Sequence, residues 1–207
     1  MIAIVTGAAG GVGRELVPML VEAGYEVYAQ RHSSEGFSAE GVHWFTGWDV
    51  PCHEVDALIH CAGVCTLGTL DQVTEAEWEE AFSVNAIKPA LLTSAALPML
   101  RKAGGHVVYI NSGSGLTAKA EWGTYCASKF AAKAWCDTLR QEEPDVRVTS
   151  IHPGRINTPM QEKIVASEGE AYDGSKYIQP ATVARAIMDA LAMTPDATPT
   201  EMMIRPR

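Results

Sequence analysis

No two cysteines in this 207-residue chain are spaced as C-x-x-C. The five that occur, Cys52, Cys61, Cys65, Cys126 and Cys136, are odd in number and scattered. They read as reduced thiols rather than a disulfide framework or a zinc site, and no metal is expected. Also missing is any run approaching the ~20 apolar residues that span a bilayer. The apolar stretch 2–5 is a strand's length and runs directly into glycines, so it is not a secretory signal. A cytoplasmic protein with no membrane partner is the expectation. Excess positive charge is lacking too: the formal net charge is −9. An extended nucleic-acid-binding face needs the opposite sign, although a local basic pocket for a phosphorylated small molecule does not. Internal repeats and low-complexity linkers are absent. With 47% hydrophobic residues, the chain is expected to form one domain, 1–207, around a substantial core.

What is present is an alternation of strand and helix patterns. Apolar runs at 2–5, 26–29, 57–59, 106–110 and 146–151 have the length of buried parallel strands. Helical spacing covers 12–23, 75–85, 89–102, 122–141 and 180–192, and a last strand is expected at 201–204. Such alternation predicts an α/β, doubly wound, mostly parallel seven-stranded sheet with helices on both faces. One stretch, 161–179, is rich in Glu, Gly, Ser and Ala and is expected to be irregular, a candidate substrate lid.

The segment Thr6-Gly7-Ala8-Ala9-Gly10-Gly11-Val12-Gly13 falls between the first strand and the first helix. Residues lacking Cβ allow a tight turn and close backbone approach to a pyrophosphate, and the helix N-terminus supplies unpaired N–H groups and a favourable dipole. Gly7, Gly11, Val12 and Gly13 are therefore candidate cofactor-binding residues. About twenty positions after such a turn, a carboxylate would bind the ribose of NAD. Here the second strand ends Gln30-Arg31-His32. Arg31 can pair with a 2′-phosphate, so NADP is expected over NAD, with His32, Ser33 and Ser34 within reach of the same group.

Tyr125 and Lys129 are four residues apart in a helical stretch and so share a face. A lysine there is expected to stabilise tyrosinate and bring the phenol below its free value of about 10. Thirteen residues before Tyr125, Ser112 follows the strand at 106–110, where strand C-termini form the ligand crevice of open parallel sheets. Its hydroxyl can hold a substrate oxygen in line with Tyr125. Ser114 competes for that role, and Trp122 is a candidate pocket residue. The other tryptophans, Trp44, Trp48, Trp78 and Trp135, read as core or interface. His152 reads as a structural neighbour, and Glu142–Glu143 and 168–170 as solvated charge.

With these residues in view the chain resembles the short-chain dehydrogenase/reductase family, in its compact soluble branch, over nearly its whole length. The glycine pattern matches at Gly7, Gly11 and Gly13, and Asp49-Val50 is similar to the family's adenine-contacting pair. His60-Cys61-Ala62-Gly63 resembles the Asn-Asn-Ala-Gly element. Asn85, Ser112, Tyr125 and Lys129 match the catalytic residues, and Pro153-Gly154 with Thr158 matches the segment that holds the nicotinamide carboxamide. The resemblance implies a Rossmann-like fold and hydride transfer between NADP(H) and a carbonyl or alcohol substrate. It makes Tyr125 the general acid, Lys129 a ligand of the nicotinamide ribose that tunes Tyr125, Ser112 the residue orienting the carbonyl, and Asn85 the support of a water-linked relay through Lys129. Asp49, Val50, Ala62, Gly63, Pro153, Gly154 and Thr158 join the cofactor contacts by the same implication. A homodimer or homotetramer built on the helices at 89–102 and 122–141 is implied as well.

The chain departs from the family where His60 and Cys61 replace two asparagines, and its substrate region is short. Two other readings start from the same fold. A catalytically idle NADP-sensing regulator on the same fold would not need Asn85, Ser112, Tyr125 and Lys129 together. A sugar-nucleotide epimerase would have another glycine spacing and a larger C-terminal substrate region.

Overall fold

The computed structural model describes residues 1–32, 36–37 and 39–207; Ser33 and Ser34, named above beside Arg31, lie outside the described residues. Seven strands form one sheet: β1 (Ile2–Thr6), β2 (Glu26–Gln30), β3 (Val42–Phe45), β4 (Ala57–His60), β5 (His106–Ile110), β6 (Arg147–Pro153) and β7 (Glu201–Ile204). Their spatial order is β3-β2-β1-β4-β5-β6-β7. Every pairing is parallel. The crossovers that parallel pairing demands are supplied by α1 (Gly11–Glu22), α2 (Glu75–Phe82), α3 (Lys88–Ala103), α4 (Gly123–Glu142), α5 (Pro159–Ser167) and α6 (Pro180–Leu191).

Strands β4 and β5 sit mid-sheet and are buried along their whole length, because helices cover both faces. On one face Leu16, Val17 and Leu20 of α1 meet Val183, Ala184, Ile187 and Leu191 of α6. On the other, Leu92, Ala96 and Leu100 of α3 pack beside Ala132, Cys136 and Leu139 of α4. The two-sided architecture expected from the alternation is thus present. Local signals fix the helix ends: Thr74 and Glu77 close a capping box on α2. Gly104, in the left-handed region, ends α3.

Two segments differ from expectation. Strand β3 was not among the apolar runs; its sequence VHWF is short, at the sheet edge and only half-buried, so it carries no continuous hydrophobic signal. The segment 161–179 is not irregular throughout. Helix α5 runs through its first residues behind a Thr158 cap and Pro159, and a short helical turn follows at Gly174–Lys176. Ile178 then pairs with the segment that follows β6, its N–H donating 3.0 Å to the Arg155 carbonyl and its carbonyl accepting from the Asn157 N–H at 2.8 Å. Among the described residues no helix is long and apolar enough to cross a membrane. All seven strands end on the same edge of the sheet, which gathers the segments after β1, β4, β5 and β6 into one crevice.

Candidate active site

The turn after β1 is shaped by glycines for steric reasons. Gly7 has φ of 63°, and a Cβ there would lie 2.7 Å from the Ala62 nitrogen. At Gly13 a Cβ would meet the Gly7 carbonyl oxygen at 2.4 Å, closer than any real contact, so α1 can approach β1 only with glycine at that position. The Ala62 N–H donates to Thr6 Oγ1 at 3.3 Å, which joins the turn to the segment after β4. Gly10 is the N-cap of α1 and offers no side chain to its first N–H groups, leaving the dipole end open to an anion. Val12 turns its side chain into the core, so only its backbone is presented at the turn.

Gln30 was not singled out from sequence. Its Oε1 accepts from the Gly7 N–H at 3.1 Å and its Nε2 donates to the Gly47 carbonyl at 2.6 Å. It thereby couples the glycine turn to the segment carrying Asp49 and Val50. Arg31, the next residue, is half-buried at the end of β2, and its N–H donates to the Phe45 carbonyl at 3.0 Å. Asp49 is exposed and Val50 half-buried. At the far side, Thr158 caps α5 through its Oγ1, and its methyl would lie 3.3 Å from a Cβ on Gly11. The Pro153-Gly154-to-Thr158 segment and the glycine turn therefore face each other.

Asn85, Ser112, Tyr125 and Lys129 converge at the strand ends. Asn85 is fully buried in a π-helical turn, Ser83–Ile87, between α2 and α3; such widened turns concentrate at functional sites. Its side-chain amide exchanges two 2.9 Å bonds with the Val64 backbone and donates to Ser128 Oγ at 3.0 Å. Ser112 follows β5, with its Oγ accepting from the Ser114 N–H at 3.1 Å and its carbonyl accepting from His152 Nδ1 at 3.1 Å. Ser114 thus supports Ser112 through its backbone, and His152 is the structural neighbour expected. A Cβ on Gly63 would stand 3.3 Å from Asn85 Oδ1 and 3.8 Å from Lys129 Nζ. Through Gly7, Ala62 and Gly63, the glycine turn and the lysine share one wall.

Lys129 is 3% exposed. Its Nζ donates to the Ile110 carbonyl at 2.9 Å and to the Tyr109 hydroxyl at 3.2 Å, and lies 5.8 Å from the centre of the Tyr125 ring. Burial brings the ammonium down to about 8, opposed by the thiols of Cys136, Cys65 and Cys61. The Tyr125 phenol departs from the sequence expectation: it is raised, not lowered. Burial is the main cause, with Cys65 and Cys126 adding to it and only the neighbouring Ser112 hydroxyl opposing it. The lysine does not offset that desolvation, and it releases its own proton before the phenol does. At neutral pH the pair is therefore a neutral phenol beside an ammonium.

Beneath the lysine lies a polar group that sequence reasoning missed. The Tyr109 hydroxyl, fully buried, donates to the Asn85 carbonyl. Its ring packs edge-on to Trp135 with centroids 5.5 Å apart. His60, in the place of a family asparagine, bonds Thr93 Oγ1 at 2.8 Å and is driven down to about 3 by burial and by Lys129. It is a neutral packing residue. The continuous apolar run at 106–110 marked β5 as buried but gave no reason to separate Tyr109 from its apolar neighbours.

The wall beside Tyr125 is apolar. Trp122, Cys126 and Ile164 are buried together, with Cys65, Leu67 and Met160 packed against them. The Trp122 ring meets that of Tyr125 edge-on at 5.9 Å, as its position three residues earlier suggested. Over Trp122 stands the Arg155 guanidinium, 5.7 Å from the ring centre. Both its terminal nitrogens hold the Glu168 carboxylate, one at 2.7 Å. Glu168 and Glu143 were expected to be solvated charge. Instead each is paired, Glu168 with Arg155 and Glu143 with Arg101, because each approaches an arginine distant in sequence.

Known proteins with this arrangement are numerous. The profile of the short chain dehydrogenase family matches residues 45–169. The 3-amino-tetrahydro-pyrrolizinone reductase of Xenorhabdus hominickii is 29% identical over 192 residues, covering 83% of this chain and 67% of that protein. The bovine (Bos taurus) dehydrogenase/reductase SDR family member 11 is 27% identical, with 99% of this chain and 95% of that protein aligned. An alcohol dehydrogenase from the archaeon Thermococcus sibiricus, solved in complex with 5-hydroxy-NADP, superposes with a TM-score of 0.84 at 22% identity, covering 98% of this chain and 95% of the other.

Proposed function

The chain belongs to the short chain dehydrogenase family of NAD(P)-dependent oxidoreductases, and we propose that it reduces a carbonyl group of a small molecule, with NADPH preferred over NADH and Tyr125 as the general acid. The observation that carries this reading is the shared wall at Ala62-Gly63. It sets the glycine turn against Asn85 and Lys129, and Lys129 in turn lies beside Tyr125.

The residues present fit a dinucleotide. The uncapped N-terminus of α1 and the backbone of Gly7, Gly11, Val12 and Gly13 suit a pyrophosphate. Arg31 suits a 2′-phosphate through charge-assisted hydrogen bonds, and a neighbouring structure complexed with 5-hydroxy-NADP supports the same choice. Asp49 and Val50 would border the adenine, Ala62 and Gly63 the adjoining ribose, and Lys129 the nicotinamide ribose. Pro153, Gly154 and Thr158 would hold the carboxamide. The nicotinamide, when bound, supplies the hydride.

The protein's own part is proton delivery and orientation. A substrate carbonyl accepts from Ser112 Oγ and from the Tyr125 hydroxyl; as negative charge develops on that oxygen, Tyr125 gives up its proton and the Lys129 ammonium stabilises the phenolate left behind. At neutral pH the Tyr125 phenol carries its proton and the Lys129 ammonium persists to about pH 8, so the proton that reduction consumes is in place. The apolar wall of Trp122, Leu67, Met160 and Ile164 would take the substrate's carbon skeleton. Residues 161–179, fastened by the Arg155–Glu168 pair, would act as its lid, with the whole chain 1–207 forming one catalytic domain. The test is NADPH consumption across a panel of carbonyl compounds. Turnover of some members, with NADH poorer, is expected; no turnover of any, in either direction, overturns the reading.

A further inference from the structure

The Tyr109 hydroxyl occupies a buried position between two groups that matter to the proposed chemistry. It donates its proton to the Asn85 carbonyl, which the π-helical turn Ser83–Ile87 presents toward β5. With that proton committed, the phenolic oxygen can only accept from Lys129 Nζ, which lies 3.2 Å away. The arrangement is directional. A carbonyl on one side fixes the hydroxyl, and the hydroxyl requires a donor on the other. The ammonium also sits over the Tyr109 ring, 4.8 Å from its centre, where the π face attracts a cation. Trp135 and His60 hold the ring from the sides, with centroid separations of 5.5 and 6.0 Å.

We propose that Tyr109 is a positioning residue for the reaction: clamped by the Asn85 carbonyl, its hydroxyl and ring keep the Lys129 side chain protonated and directed at Tyr125. This rests on the reading of Lys129 and Tyr125 given above. It assigns to a strand residue a task that the spacing of Tyr125 and Lys129 leaves open, namely how a fully enclosed lysine stays charged. Two of the three ammonium donors are engaged, by Tyr109 and Ile110, and each partner is an acceptor. Every acceptor removed makes the charge harder to keep.

The other ionisable groups around Lys129 do not titrate in the same range. Cys61 and Cys65 after β4, and Cys136 on α4, are each pushed up to about 12, His60 on β4 is held at about 3, and Tyr109 and Tyr125 are raised. Between pH 6 and 10 a change in this cluster therefore reports on Lys129.

The experiment is Tyr109→Phe, which keeps the ring and its packing and removes only the bridging oxygen. Two readouts are needed. In NADPH-dependent turnover, the alkaline limb set by loss of the Lys129 proton is expected to move about one pH unit lower, the size of one hydrogen bond to a charged group. Without any turnover, the loss of folding stability caused by Tyr109→Phe is expected to be fully present below about pH 7 and to shrink between there and about pH 8, as Lys129 deprotonates first in the variant and then in wild type. In a Lys129→Met background the same substitution should cost the same at every pH. An alkaline limb left in place, together with a stability loss independent of pH in both backgrounds, would make Tyr109 a packing residue only and overturn the proposal. If no carbonyl compound is turned over, the reductase reading fails while the stability comparison still decides the role of Tyr109.

Discussion

Replacing Lys129 by methionine should make the protein more stable and inactive. Lys129 is 3% exposed, and its ammonium is held at about 8 against an ordinary 10.5. At neutral pH that difference corresponds to about 3 kcal/mol of folding free energy lost to the buried charge. Folded and unfolded chains are both protonated below pH 8, so the whole cost is present there. Between pH 8 and about 10.4 the unfolded chain binds the extra proton, and the wild type gains stability as pH rises. Methionine fills the space of the lysine stem without charge, but leaves the Ile110 carbonyl and Tyr109 hydroxyl without a donor, which costs about 1–2 kcal/mol. The net expectation at pH 6.5 is a gain of about 1–2 kcal/mol, or several degrees in Tm for a chain of this length. Urea unfolding of both proteins at pH 6.5 and pH 10 reads it directly: the advantage of methionine should vanish or reverse at the higher pH. A methionine variant less stable than wild type at pH 6.5, or a difference unchanged by pH, would mean that the buried Lys129 charge does not burden the fold. Gain of stability with loss of turnover is what a functional charge in a core produces.

Two further outcomes follow from the same site. Arg31→Asp replaces a half-buried cation at the end of β2 by a carboxylate that repels a 2′-phosphate and accepts from ribose hydroxyls. The ratio of kcat/KM for NADPH over NADH should fall roughly ten- to hundred-fold, chiefly through KM, and an unchanged ratio would reduce Arg31 to a surface residue. Light scattering at micromolar concentration should report a dimer or tetramer, since α3 leaves Leu91 64% exposed and α4 leaves Phe130 43% exposed; a monomer contradicts this.

The architecture was legible where a residue's neighbours in sequence are also its neighbours in space. Continuous apolar runs marked β4 and β5 because both of their faces are covered, while β3, half-covered at the edge, left no such run. Glycines at 7 and 13 announced a close approach of backbones that the structure contains, and the four-residue step from Tyr125 to Lys129 put both on one side of α4. Long-range partners were not legible. Nothing near Gln30 in sequence tells that its amide ties Gly7 to Gly47. Nothing near Glu168 announces Arg155, thirteen residues earlier and across α5. The direction of the Tyr125 shift was misjudged for the same reason: spacing reveals a neighbouring charge but not the depth of burial, and burial governs here.

In the proposed reaction Tyr125 delivers the proton to the carbonyl being reduced. Tyr125→Phe keeps the ring against Trp122 and removes only the hydroxyl. With a carbonyl compound that wild type reduces, NADPH oxidation followed by absorbance should be lost in kcat, while NADPH binding measured by fluorescence stays within a few-fold of wild type. Turnover by Tyr125→Phe within a few-fold of wild type would contradict the account.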